Sequence, residues 1–181
     1  MHWCNSHNHW GMITIVIHWL STIIIFGLFG LGLWMVELDY YDAWYRKAPD
    51  IHKSIGILLL VLTLVRLVWR RSNSTPVALD SHNSRKRRIA EVTHYSLYLL
   101  LITIMLSGYL ISTADGHEIV VFNWLPIPAT IYGIDMQEDI AGKIHLWLAI
   151  CLVSLAVIHA MAALKHHFVD RDQTLKRMFG L

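Results

Sequence analysis

Long apolar runs alternate with polar stretches along this chain. A helix of about 20 apolar residues is long enough to cross the hydrocarbon core of a bilayer. Three of the runs contain no Asp, Glu, Lys or Arg, and the other contains only Lys53 and Arg66, close to its ends. Long basic side chains in such positions can reach the membrane surface. The pattern therefore predicts a single-domain, all-α membrane protein over residues 1–181, a bundle of four transmembrane helices at about 13–36, 51–69, 92–114 and 144–164.

Two apolar stretches need a separate interpretation. Residues 119–134 are short for a crossing and contain Pro126 and Pro128, so we expect them to form an interfacial cap on the outer face. The run at 13–36 lacks the basic start, the short apolar core and the small-residue exit of a cleaved signal peptide. We therefore interpret it as a retained helix.

Composition agrees with a membrane protein, and the distribution of charge orients it. Of 181 residues, 55% are hydrophobic and only 15% are charged. Basic side chains dominate residues 70–91 and the C-terminal tail, whereas acidic side chains dominate residues 37–50 and 115–142. Because cytoplasmic loops carry an excess of Lys and Arg, both termini are expected in the cytoplasm. Membrane lipid is an expected partner, and nucleic acid is not.

Histidines are the unusual polar residues of the apolar runs. A histidine in a transmembrane segment is costly and by default indicates a functional site. His145 and His159 are 14 residues apart on helix 4. They differ by roughly 40° around the axis and by roughly 21 Å along it, so they share a face at two levels. The histidines inside or at the ends of the helices are His18, His52, His94, His145 and His159.

Alternating helix directions match four of these histidines in depth. His18 and His159 lie at similar depth near the cytoplasmic side, while His52 and His145 open their helices on the outer side. Paired axial histidines suit haem iron, and filled axial positions favour electron transfer over substrate chemistry. The chain has two cysteines and no Cys-x-x-Cys-His motif, so haem must be held without thioether links.

His94 competes with His18 for the cytoplasmic pair. Small residues one turn away favour His18, which has Thr22 at that position, over His94, which has Tyr98. We therefore expect His94 to lie near a haem, bonding a propionate or a quinone. Zinc binding is less favoured, because a structural zinc site usually gathers Cys or carboxylate ligands at one compact centre.

Further motifs accompany the histidines. They are Ile17, His18 and Trp19; Leu64, Val65, Arg66 and Leu67; His166 and His167; and Leu175, Lys176, Arg177 and Met178. Together with His52, His145 and His159, they resemble the bacterial cytochrome b561 family over essentially the whole chain. The resemblance implies two haem b groups on the same four axial ligands, and electron exchange with ubiquinone. For the branch similar to superoxide oxidase, it also implies oxidation of periplasmic superoxide.

The expected function is electron transfer between a periplasmic donor or superoxide and the ubiquinone pool. The alternative is a haem-bearing membrane anchor that relays electrons for a larger dehydrogenase or hydrogenase, and the distant alternative is a metal-ion transporter. Lys53 and Lys143 lie beside the outer ligands and are candidates for binding propionates or steering an anion, although ordinary interfacial lysines explain them equally well. The candidates for quinone binding or for contacts next to the ligands are His94, Arg66, His166 and His167.

Overall fold

Four long helices dominate the chain. The computed structural model describes residues 2–77 and 84–181. In that part of the chain, four helices are long and apolar enough to cross a membrane, which confirms the predicted helical membrane class. Few residues of these helices are fully buried, and exposed apolar side chains such as Ile23, Val65 and Leu99 are available for contact with lipid. The described elements are α1 (Met12–Met35), α2 (Lys47–Ser72), α3 (Ser84–Ser112), β1 (Ile119–Val121), β2 (Leu125–Ile127), α4 (Gln137–Phe168) and α5 (Thr174–Arg177).

Helices α2 and α4 extend beyond both ends of the apolar runs that predict them, and α3 begins earlier, at Ser84. A helix satisfies its own backbone hydrogen bonds, so it can continue past the hydrocarbon core into the polar interface. Glu138 and Asp139 lie in the first turn of α4, and Lys165 lies in its last turn, where each charge complements the helix dipole. Pro49 is tolerated in α2 because it lies in the first turn, where no backbone N–H needs an intrahelical acceptor.

The apolar stretch at 119–134 contains a short antiparallel hairpin. Ile119 pairs with Ile127, and Val121 pairs with Leu125. The turn backbone is left-handed at two successive residues, Phe122 and Asn123, with φ angles of 48° and 57°. Its position at the membrane interface stays a prediction.

The contacts divide the chain into two compact units. The unit that holds both termini, here the terminal unit, comprises Met1–Thr22, Leu62–Leu99 and Ser154–Leu181. The unit that holds the β-hairpin, here the hairpin unit, comprises Ile23–Val61 and Leu100–Val153. The terminal unit contains His18, His94 and His159, and the hairpin unit contains His52 and His145.

Within the hairpin unit, a buried glutamine fixes the start of α4. The side-chain amide of Gln137 donates to the carbonyl oxygen of Leu110 at 2.9 Å and to that of Ile131 at 3.1 Å. Thr113 Oγ1 also donates to Ile131, at 3.1 Å. These bonds satisfy carbonyl groups at the end of α3 and tie α3 and the segment after the hairpin to α4.

Within the terminal unit, the C-terminal tail folds back on α1. The indole Nε1 of Trp19 donates to the carbonyl oxygen of Met178 at 2.9 Å. The Trp19 ring also stacks on Phe179, with the ring centroids 4.9 Å apart. The tail therefore packs against the residue that follows His18.

Candidate functional site

His52 of α2 and His145 of α4 form a ring pair in the hairpin unit. Their ring centroids lie 6.2 Å apart, and the angle between the ring planes is 66°. A metal–imidazole bond is about 2 Å long, so two imidazoles on opposite sides of one ion have their centroids roughly 6 Å apart. The measured distance fits two axial ligands of a single metal ion.

Hydrogen bonding sets the tautomer of His145. Its Nδ1 lies 2.9 Å from the carbonyl oxygen of Ile104. A carbonyl can only accept, so Nδ1 carries the proton and a neutral ring keeps its lone pair on Nε2. Histidines that bind a metal through Nε2 typically have this arrangement.

Two glycines on neighbouring helices lie against these rings. A Cβ added at Gly32 of α1 would lie 3.3 Å from Cε1 of His52, and one added at Gly108 of α3 would lie 3.1 Å from Cε1 of His145. Both distances are shorter than the roughly 3.5–4.0 Å that separates carbon atoms in ordinary contact. Neither glycine is predicted from the sequence, because each lies on a different helix from the histidine that it contacts.

Two further glycines leave the backbone beside the pair accessible. Gly56 follows His52 by one turn, and Gly142 precedes His145 by nearly one turn. Among the described residues, a Cβ on either glycine would have no atom within 4 Å apart from the neighbouring backbone of its own helix. Nδ1 of His52 is buried and has no hydrogen-bond partner among the described residues. Paired histidines flanked by accessible glycine backbone fit a flat macrocycle held by axial ligands.

The terminal unit arranges its histidines differently. The rings of His94 and His159 have their centroids 5.3 Å apart, at an angle of 67°. Nδ1 of His18 lies 2.9 Å from Nη2 of Arg66. The structure thus places His94 beside His159 and an arginine beside His18, and the pairing of His18 with His159 stays a prediction.

Arg66 sets the tautomer of His18. A guanidinium only donates, so Nδ1 of His18 accepts, and a neutral ring then carries its proton on Nε2. The guanidinium carbons of Arg66 and Arg70 lie 5.5 Å and 5.9 Å from the ring centroid of Tyr98. Tyr98 therefore forms a cation–π contact with both arginines.

Histidine pairs, more than clusters, characterise these sites. Within residues 2–77 and 84–181, no three His, Cys, Asp or Glu side chains form a group that could hold a metal ion. Two histidines per ion suit haem, whose macrocycle supplies the other four iron ligands.

Residues 9–181 match the family model described as prokaryotic cytochrome b561. This chain belongs to the prokaryotic cytochrome b561 family. The resemblance drawn from the motifs is therefore confirmed. Membership implies a b-type haem and identifies the chain as a multi-pass membrane cytochrome for electron transfer.

Three relatives are similar to this cytochrome along nearly their whole length. "Cytochrome b561 homolog 2" of Escherichia coli (strain K12) is 52% identical over 180 residues, covering 99% of this chain and 96% of that protein. "Probable superoxide oxidase CybB" of Yersinia pestis is 30% identical over 173 residues, covering 95% and 96%. "Cytochrome b561 homolog 1" of Escherichia coli (strain K12) is 23% identical over 174 residues, covering 94% and 97%.

The two lysines next to His52 and His145 in the sequence of this cytochrome have different surroundings. Nζ of Lys53 lies 3.0 Å from Oδ1 of Asp50, so its charge is partly balanced. Lys143 is exposed on α4. A steering role for an anion therefore fits Lys143 better than Lys53.

The two adjacent histidines at the end of α4 also differ. Nδ1 of His166 lies 2.7 Å from Oδ2 of Asp170 and 3.5 Å from Oδ2 of Asp172. Nδ1 of His167 is buried and has no hydrogen-bond partner among the described residues. His166 is thus hydrogen-bonded to Asp170, whereas Nδ1 of His167 retains unused hydrogen-bonding capacity within the described residues.

Proposed function

We propose that this chain is a di-haem b-type cytochrome of the bacterial inner membrane that transfers electrons between a periplasmic donor and ubiquinone. The observation that carries the proposal is the His52–His145 pair, with ring centroids 6.2 Å apart and His145 in the tautomer of a metal ligand. When bound, haem supplies reversible one-electron redox chemistry at its iron. The protein supplies the ligands, their spacing and the surroundings that set the redox potential.

We assign His52 and His145 to one haem and His18 and His159 to the other. For the second haem, the short ring distance between His94 and His159 argues against His94 as the partner of His159. The rings of His94 and His159, 5.3 Å apart, leave less room than the roughly 6 Å that opposite sides of one metal ion require. His94 then packs against the ring of His159 without binding the iron. Arg66 must release Nδ1 of His18, because a protonated Nε2 cannot bind iron.

Charge at the helix ends supports the orientation. Arg70 and Arg71 lie in the last turn of α2, and four basic residues follow Ser84 at the start of α3. Glu138 and Asp139 open α4. By the positive-inside rule, the sequence predicts the cytoplasmic side for His18 and His159 and the periplasmic side for His52 and His145.

For ubiquinone, the contacts favour His167 among the four candidates. Quinone carbonyl oxygens need hydrogen-bond donors, and Nδ1 of His167 is a buried group without a partner among the described residues. Arg66 and His166 already have hydrogen-bond partners, and the ring of His94 packs against His159, which we assign to a haem. A His167→Ala variant that keeps both haems is expected to lose quinone reduction, and normal turnover would exclude this assignment.

Superoxide is our candidate for the electron donor. The support is the 30% identity to a relative named as a probable superoxide oxidase. The exposed Lys143 next to the His145 region provides a positive charge that can attract an anion. Oxidation of superoxide to dioxygen releases one electron, which matches the one-electron capacity of a haem iron.

Haem quantitation with redox difference spectra tests the ligand assignment directly. Purified protein is expected to contain two haems per chain, with no covalent attachment. Replacing His52 or His145 by Ala should remove one haem, and replacing His18 or His159 should remove the other. His94→Ala should keep both.

The controls separate the competing assignments. Full haem content in His145→Ala would refute the function proposed here. Haem loss in His94→Ala, with both haems retained in His18→Ala, would show that His94 and not His18 is the ligand. The proposed function would not be affected. A copurifying subunit, together with inactivity of the isolated chain toward quinol, would favour the membrane-anchor function.

A further inference from the structure

We propose that Ser107 and Gly108 of α3 are positioning residues that set the orientation and the donor strength of His145. The inference rests on the proposed role of His145 as a haem ligand. It assigns a redox-tuning function to two adjacent residues that act through the histidine ring.

Three groups form a closed set of hydrogen bonds around Nδ1 of His145. The ring donates to the carbonyl oxygen of Ile104 at 2.9 Å. Ser107 Oγ donates to the same carbonyl at 2.8 Å and lies 3.0 Å from Nδ1, where its lone pair can accept from the ring. Ser107 is only 6% exposed, so little bulk water competes for these bonds. A serine inside a helix commonly bonds back to its own backbone, and this one also reaches the ring.

Gly108 provides the space that this hydrogen bonding needs. A Cβ at Gly108 would lie 3.1 Å from Cε1 and 3.4 Å from Nδ1 of His145. The ring can therefore keep its present position against α3 because the residue after Ser107 has no side chain, and a Cβ there would force a shift of a few tenths of an ångström. An added methyl group would push the ring away from Ile104 and lengthen its hydrogen bond.

The two members of the ring pair are held in different ways. Gly32 lies against His52, with a built Cβ 3.3 Å from Cε1, but Nδ1 of His52 has no hydrogen-bond partner among the described residues. Hydrogen bonds to acceptors at Nδ1 make an imidazole more basic at Nε2. His145 is therefore the stronger electron donor of the pair. Stronger donation stabilises ferric iron over ferrous iron, so Ser107 lowers the reduction potential at this position.

Redox titration of Ser107 variants tests the tuning. In Ser107→Ala, both haems should be retained, and the ferrous-to-ferric ratio of one haem at fixed ambient potential should rise about 2- to 10-fold, the effect of one lost hydrogen bond. Ser107→Thr keeps a hydroxyl and should restore the wild-type ratio. If Ser107→Ala does not assemble, Ser107→Cys, whose sulfur is a weaker acceptor, should give a smaller change in the same direction.

Electron paramagnetic resonance of Gly108→Ala tests the steric part. The low-spin ferric signal of the same haem should shift, and haem affinity should fall roughly 10- to 100-fold. Gly27→Ala on α1 is the matched control. Among the described residues, a Cβ there would have no atom within 4 Å apart from the neighbouring backbone of α1. It should leave signal and affinity unchanged.

The outcomes distinguish this inference from the function on which it rests. An unchanged redox ratio in Ser107→Ala, with both haems present, would overturn the tuning role and leave the ligand assignment intact. A Gly108→Ala signal identical to that of Gly27→Ala would overturn the steric role. Full haem retention in His145→Ala would instead overturn the proposed function.

Discussion

His145 and His18 are predicted for the same task, but the structure gives their Nδ1 atoms opposite partners. Nδ1 of His145 meets a carbonyl oxygen, and Nδ1 of His18 meets the guanidinium of Arg66. Because the first partner only accepts and the second only donates, the two neutral rings carry their protons on different nitrogens. Nε2 of His145 is thus free to bind a metal, whereas Nε2 of His18 would become free only if Arg66 moved away from Nδ1.

The accessible glycines Gly56 and Gly142 predict how a bulky side chain beside the histidine pair would change haem content. Leu in place of Gly56 or Gly142 would occupy the space beside His52 or His145, so haem content should fall from two to about one per chain. Haem quantitation after purification measures this. Gly27→Leu is the control and should keep both haems. Two haems in both Gly56→Leu and Gly142→Leu would contradict the fit.

Among the elements, α4 is held by different forces at its two ends. Its start depends on neutral hydrogen bonds from Gln137. Just beyond its last turn, Asp170 accepts hydrogen bonds from Lys86, His166 and Lys165. These bonds lower the pKa of the Asp170 carboxyl from 3.8 to about 2, and the bond from Lys86 has the largest effect.

The lowered pKa of Asp170 predicts how stability depends on pH. A carboxyl whose folded pKa lies below its unfolded value contributes stability above the unfolded pKa and loses it as the pH falls toward the folded one. Asp170→Asn should therefore unfold at a lower urea concentration at pH 7, and the difference from wild type should narrow between pH 4 and pH 2. Glu91→Gln, an exposed change in the same unit, should show little difference. A gap independent of pH would contradict this.

The β-hairpin is anchored to α2 by a buried hydrogen bond, whose loss should lower stability. Ser54, which is 1% exposed on α2, accepts the backbone N–H of Phe122 at 2.9 Å. Ser54→Ala removes the acceptor and should destabilise the protein by about 1 kcal/mol. Hydrogen exchange should also accelerate at the turn amides from Phe122 to Trp124. Ser72→Ala, at the exposed end of the same helix, should leave both quantities unchanged.

For the whole molecule, the division into two compact units agrees with the membrane depth that the sequence predicts for each histidine. The two members of each predicted axial pair fall in the same unit, and His94 falls with His18 and His159. The four membrane-spanning helices and the family are confirmed, whereas both ligand pairs stay predictions.

Electrostatic attraction of superoxide depends on the electric field of the whole protein surface. Replacing both Lys53 and Lys143 by Gln should slow haem reduction by superoxide on the order of a few-fold and weaken its salt dependence. Since Lys53 is paired with Asp50, Lys143→Gln alone should reproduce most of the change. Stopped-flow reduction at several salt concentrations measures it. An unchanged rate with intact haems would exclude steering.

The sequence by itself determined the crossings, the orientation expected from charge and the two histidine sets. These follow from the length of apolar runs, the net charge of loops and the helical repeat, which are properties of local sequence. Only the tertiary structure decided that Gly32 and Gly108 meet the histidines, that Ile104 sets one tautomer and Arg66 the other, and that His94 lies beside His159. These contacts depend on how each helix is rotated and how closely its neighbour approaches, and residues distant in sequence determine both together.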